Sequence, residues 1–211
     1  MSIGDAEIKT QERVIRFFKD PEILGYQYIG NLSDYQNKNI KEDRLRQYLR
    51  LKGYADKLID AAVVQLQQEA GNLSRGLYDA NKTVYSRLKY GIPVSESPEK
   101  PPVTVQLIDE ENPLNNDFAI AEEVTVVEQQ EKRPDLVIYL NGIAVAVIEL
   151  KRSSISVSEG IRQNLTNQKD SFIRGFFTTM QFCMAGNESE GLRYGTLLTG
   201  EKFYMEWNDD G

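Results

Sequence analysis

Asp135 and, after thirteen intervening residues, the pair Glu149 and Lys151 are the side chains of this 211-residue protein whose types and spacing most invite chemistry. Glu149 follows Ala144-Val145-Ala146-Val147-Ile148, a run with the make-up of a buried strand. An ionised carboxylate in an apolar interior is costly unless something pairs with it. Residues two apart on a strand share a face, so Glu149 and Lys151 project together. Two carboxylates and a backbone carbonyl beside a lysine make a hard-oxygen site suited to Mg²⁺. The ion would neutralise Glu149, stabilise charge building on a scissile phosphate and acidify a bound water. Lys151 would orient that water or stabilise the pentacovalent state.

The elements that must position these groups are two strands. "DLVIYL" and "IAVAVIEL" flank Asn141-Gly142, the strongest short-range hairpin signal. A strict two-residue turn would pair Leu140 with Ile143 and therefore Asp135 with Ile148, aiming Asp135 at the wrong face. The carboxylates can meet only through a bulge, through a three-residue turn with Gly142 left-handed, or through a bend at Asp135, so an irregularity is expected. The same residues also fit a strand end fraying into solvent. Glu7-Ile8-Lys9 repeats the E-x-K triplet at a helix start with no strand partner, which shows how little the triplet means alone.

Up to about residue 91 the spacing predicts helices in "EIKTQERVIRFFKD", "KEDRLRQYLRLKGY", "ADKLIDAAVVQLQQEAG" and "GLYDANKTVYSRLKYG". Residues 92–102, "IPVSESPEKPP", read as a connector, and residues 103–211 as a sheet core with the hairpin and at least one covering helix, capped at Ser158. The fold class is α/β or α+β, a mixed central sheet flanked by helices, in a single domain over 1–211.

Composition narrows the chemistry. The chain has no histidine, which excludes imidazole bases, Ser-His-Asp and Cys-His arrangements and imidazole zinc ligands. The single cysteine, Cys183, excludes an intrachain disulfide and reads as a small buried thiol. No apolar run is long enough to span a bilayer and no signal peptide is evident, so a cytoplasmic location is expected. The net charge of −7 argues weakly against nucleic acid, but the average hides a change of sign. Residues 101–135 hold nine acidic and two basic residues, whereas 136–180 hold three acidic and five basic. "GTLLTGEKF" has glycines spaced as in a phosphate loop, yet Glu201 stands at the lysine position, so it reads as a turn.

Pro134-Asp135 followed by Glu149-Leu150-Lys151 resembles the PD-(D/E)xK nuclease superfamily. With "LIDEENPLNNDFAIAEEVTVV", "EGIRQNLTNQK" and "GLRYGT", the chain is similar to the N-terminal nuclease domain of the restriction (R) subunit of type I restriction-modification enzymes. The resemblance implies a Mg²⁺-dependent endonuclease that cuts double-stranded DNA beside methyltransferase and specificity subunits. Its ATP-driven motor would follow in the same polypeptide, making this chain part of a longer subunit. Asp135 and Glu149 would be metal ligands and Lys151 the catalytic lysine. A first-helix glutamate, Glu12 with Glu7 as competitor, would complete the site. Gln163 would belong to a Q-x-x-x-Y motif whose tyrosine position holds Asn167 here. Arg133, Arg152, Arg162, Lys169 and Arg174 are candidates to hold DNA phosphates. A noncatalytic docking or DNA-sensing module, and a related nuclease acting on other nucleic acid, remain the alternatives.

Overall fold

Apolar residues at helical spacing near the start of the chain give way to β-branched runs. The computed structural model describes residues 3–207, with side chains from residue 8 onward. Helix α1 (Ile3–Lys19) ends just before Pro21, which cannot continue a helix. Strand β1 (Gln27–Asn31) follows, then α2 (Glu42–Leu51), α3 (Asp56–Gly71) and α4 (Leu77–Tyr90). Strands β2 (Ile92–Val94), β3 (Val103–Val105), β4 (Phe118–Glu122), β5 (Val126–Val127), β6 (Glu131–Lys132), β7 (Leu136–Leu140) and β8 (Ile143–Leu150) come next. Helix α5 (Val157–Asn167) and the strands β9 (Phe182–Asn187), β10 (Gly191–Gly195) and β11 (Met205–Glu206) complete the order.

The main sheet has seven strands in the order β1-β4-β7-β8-β9-β10-β11 and is mixed, as the composition of the chain's second half led us to expect. β1 runs parallel to β4 and β8 parallel to β9; the other neighbours are antiparallel. A parallel pair needs a crossover connection, and α5 with the 3-10 segment Arg174–Thr179 supplies it between β8 and β9. Period-two alternation then divides the central strands between two cores. Leu136, Ile138, Ala146, Ile148 and Leu150 pack with Ile15 of α1 on one face. Val137, Tyr139, Ala144 and Val147 pack with Phe176, Phe177 and Cys183 on the other. Farther along that second face, Val157 and Ile161 of α5 cover Ala185. β8 is therefore enclosed on both sides, which explains its almost uninterrupted apolar run.

Several sequence expectations change. "QYIGN" is a strand, β1, not anticipated because five residues, three exposed and two half-buried, with a glycine among them, carry little signal. The expected connector begins with β2, whose Ile92 and Val94 are buried on either side of exposed Pro93 as it pairs with β3. "FAIAEEVTVV" breaks at Glu123, where φ is +52°, so that β5 leaves the main sheet to pair with β6. The cap of α5 is Ser156, whose hydroxyl accepts the Ser158 N–H at 3.3 Å. Among the described residues, no helix is long and apolar enough to cross a membrane.

Candidate active site

The hairpin turn is the two-residue kind, with Asn141 and Gly142 both at positive φ (+52° and +83°), and it pairs Leu140 with Ile143 and Tyr139 with Ala144. The ladder then slips. Ile138 opposes Ala146, leaving Val145 as the extra residue of a β-bulge, and Val137 and Leu136 oppose Val147 and Ile148. Continued by one step, this register sets Asp135 across from Glu149 on one face. The bulge is the irregularity that convergence of the two carboxylates required. It is held from the side, because the Val145 carbonyl accepts the Gln181 N–H at 2.7 Å where the chain enters β9.

Glu149 has no exposed surface. Its Oε2 accepts a hydrogen bond from Gln163 Nε2 at 2.7 Å, while its buried Oε1 meets no donor. Burial, then the adjacent Asp135 carboxylate, push its pKa well above the ordinary carboxylate range; Lys151 pulls the other way and Glu123 adds to the rise. Asp135 could share a proton with Glu149 but offers none while both are ionised. Asp135 Oδ2 accepts the Leu150 N–H at 2.6 Å, and Lys151 Nζ donates to the Leu150 carbonyl at 3.0 Å. Both carboxylates, the Leu150 carbonyl and the lysine therefore lie around one point at the end of β8.

Gly160 lets α5 approach this point. A Cβ there would stand 2.9 Å from the Ala185 Cβ and 3.4 Å from the Glu149 Cβ, so a side chain would lift the helix. Gln163 lies about one turn farther along α5 and reaches Glu149 because of that close approach. Gly160→Val should cost about 1–3 kcal/mol in unfolding free energy through overpacking. It should also separate Gln163 from Glu149, checked by denaturant melts and by a structure of the variant.

Glu123 was not among the sequence candidates. It sits just past β4, donates its N–H to the Asp135 carbonyl at 2.8 Å, and pairs its carboxylate with Arg133 Nε at 2.8 Å. The doublet Glu122-Glu123 was visible in the sequence, but the pairing of β4 with β7 that brings it beside Asp135 was not. Glu12 is exposed on α1, the helix that packs against the sheet face opposite Glu149. Its neighbour Gln11 is the buried one, donating to Glu122 Oε2 at 3.0 Å. The Glu7 side chain lies outside the described residues. Asn167 is buried, so the motif position that holds tyrosine elsewhere belongs here to the core.

Three of the five candidate phosphate-binding residues are paired within the protein: Arg133 with Glu123, Arg162 with Glu159 and Glu201, and Arg174 with Asp170. Arg152 is half-buried and Lys169 exposed. Glu201 thus serves Arg162 in the segment whose glycines mimicked a phosphate loop.

The sequence model of the type I restriction enzyme R protein N terminus (HSDR_N) matches residues 7–203. The chain belongs to that family. It is 34% identical over 97 residues to a candidate type I restriction enzyme endonuclease subunit, MjaIXP, of Methanocaldococcus jannaschii, a match covering 42% of this chain and 9% of that one. A type I restriction enzyme endonuclease subunit of Staphylococcus aureus is 27% identical over 111 residues, covering 51% of this chain and 12% of the relative. One from Staphylococcus saprophyticus is 29% identical over 112 residues with the same coverage. The matched part is about a tenth of the length of these relatives.

Proposed function

We propose that this domain is a Mg²⁺-dependent endonuclease that cleaves phosphodiester bonds of double-stranded DNA. In the complete subunit, cleavage would be coupled to ATP-driven translocation within a complex that includes methyltransferase and specificity subunits. The observation that carries the reading is the bulge between Ile138 and Tyr139 of β7 and its partner strand, whose register, continued one step, puts Asp135 opposite Glu149, with the Asp135 carboxylate on the Leu150 N–H and Lys151 Nζ on the Leu150 carbonyl. Among the described residues no three acidic, cysteine or histidine side chains form a ready-made ligand cluster. The two carboxylates and the Leu150 carbonyl nevertheless suit Mg²⁺, which keeps several waters and takes few protein ligands. The fit is supported by the buried Glu149 Oε1 without a donor, because a buried oxygen beside a second carboxylate calls for a cation.

Asp135 and Glu149 would hold the ion, which when bound supplies charge neutralisation and an acidified water. Gln163 fixes the Glu149 carboxylate through its hydrogen bond, and the Leu150 N–H does the same for Asp135. Lys151 would leave the Leu150 carbonyl to stabilise charge on the attacked phosphate. A second reading, a noncatalytic docking or DNA-sensing module, is favoured by the internal pairing of Arg133, Arg162 and Arg174. One experiment separates the two. Lys151→Ala in the complete ATP-driven complex should reduce cleavage by about a hundredfold or more while ATP hydrolysis is unchanged. Undiminished cleavage with normal ATP hydrolysis would leave the module reading standing.

A further inference from the structure

The outer face of α4 differs in charge from the rest of this acidic chain. Leu77, Ala80, Val84 and Leu88 are buried on its inner side, which turns Tyr78, Lys82, Tyr85 and Lys89 outward in one stripe. Tyr78, Tyr85 and Tyr90 are 61%, 47% and 65% exposed. Among the described residues, neither Tyr78 nor Tyr85 stacks on another ring, while Lys89 Nζ lies 5.5 Å from the centre of the Tyr90 ring. From Arg75 to Tyr90 the charged residues are Arg75, Asp79, Lys82, Arg87 and Lys89; Arg75 pairs with Asp79 and half-buried Arg87 with Glu69 of α3, so Lys82 and Lys89 are the cations that the exposed stripe carries. The stripe is rigidly mounted, because Asn81 donates to the carbonyls of Thr178 and Met180 at 3.0 and 2.8 Å. It also begins beside the Arg174 guanidinium, 3.6 Å from where a Cβ at Gly76 would stand.

Alternating aromatic and basic side chains on one surface suit a single-stranded nucleic acid, whose unpaired bases stack on rings while cations follow its backbone. A protein partner fits less well, because lysine is depleted from the cores of such interfaces. A duplex offers phosphates but no unpaired base faces. We propose that Tyr78, Lys82, Tyr85 and Lys89 form a binding track for single-stranded DNA, the tyrosines stacking on bases and the lysines meeting phosphates. The choice of DNA rests on the endonuclease reading; the track itself does not.

The test measures binding without cleavage, by fluorescence anisotropy of the full chain with labelled oligo(dT) and with a duplex of equal length, in the absence of divalent metal. Circular dichroism checks that each variant is folded. Tyr78→Ala/Tyr85→Ala should weaken oligo(dT) binding by about 25-fold or more and leave duplex binding within about twofold. Lys82→Ala/Lys89→Ala should lower the slope of log affinity against log salt for oligo(dT) by about 1.4. Oligo(dT) should also protect Tyr78 and Tyr85 from nitration in the wild-type protein. Glu149→Gln should bind oligo(dT) like wild type, so loss of nuclease activity and loss of the track are separate results. Wild-type affinity in both double variants, or unprotected tyrosines, would overturn the proposal.

Discussion

Glu149→Gln is expected to cut DNA at least about a hundredfold more slowly than wild type and, without metal, to be the more stable protein. Both effects have one cause. Glu149 is fully buried, its Oε1 meets no donor, and Asp135 beside it opposes its ionisation. At neutral pH the folded metal-free protein must either bury that charge or hold a proton there that the unfolded chain would release, and each costs free energy. Glutamine keeps the shape and carries no charge. Its gain should be about 1 kcal/mol or more in denaturant unfolding with chelator present. A saturating divalent ion should then stabilise wild type more than the variant, because only the wild type has both ligands. A variant that cleaves normally, or one less stable than wild type in chelator, would remove Glu149 from the role given to it. Trading stability for function at the site is the general pattern where a charged group is held in an apolar setting.

Gly142→Ala should produce the largest loss of stability, more than about 2 kcal/mol in denaturant unfolding. Gly142 lies at φ +83°, where a side chain is strained, and an added Cβ would stand 2.7 Å from the Lys41 carbonyl oxygen and 2.8 Å from the Leu45 nitrogen. Those atoms belong to the backbone and cannot swing aside. The turn is a buried joint. Lys41 donates its N–H to the Gly142 carbonyl at 2.7 Å, and fully buried Asn141 donates to the Leu107 carbonyl and accepts the Asp117 N–H. Displacing it moves both strands on which Asp135 and Glu149 are counted, so metal affinity should fall with stability. Gly30 provides the contrast: its φ is +102°, but an added Cβ would meet nothing within 4 Å, so Gly30→Ala should cost clearly less.

The hairpin and its turn were legible because Asn-Gly between apolar runs has a local cause. The need for a bulge followed from counting residues against the two faces of a strand. Its place at Val145 did not, because that is decided by the Gln181 N–H arriving from a distant segment. The same limit explains Glu123, which becomes a neighbour of Asp135 only through the pairing of β4 with β7. The reach of Gln163 to Glu149 depends on Gly160 touching Ala185, a contact between helix and strand that no local pattern reports. β1 escaped notice because a short edge strand has no apolar alternation to show. The capping serine was misplaced by two positions because "SVS" offers two hydroxyls, and backbone geometry chooses Ser156. On α1 the helical pattern turns Gln11 inward and leaves Glu12 exposed, and an acid there was expected from the resemblance and not from that pattern.

Calorimetric titration of Mn²⁺ or Mg²⁺ into wild type and Asp135→Ala, each shown to be folded, bears most directly on the claim that Asp135 and Glu149 form one ion site. Wild type should bind the ion, and the variant should bind it at least about tenfold more weakly. Equal affinity in the two proteins would contradict the shared site and leave the buried Glu149 without the partner assigned to it.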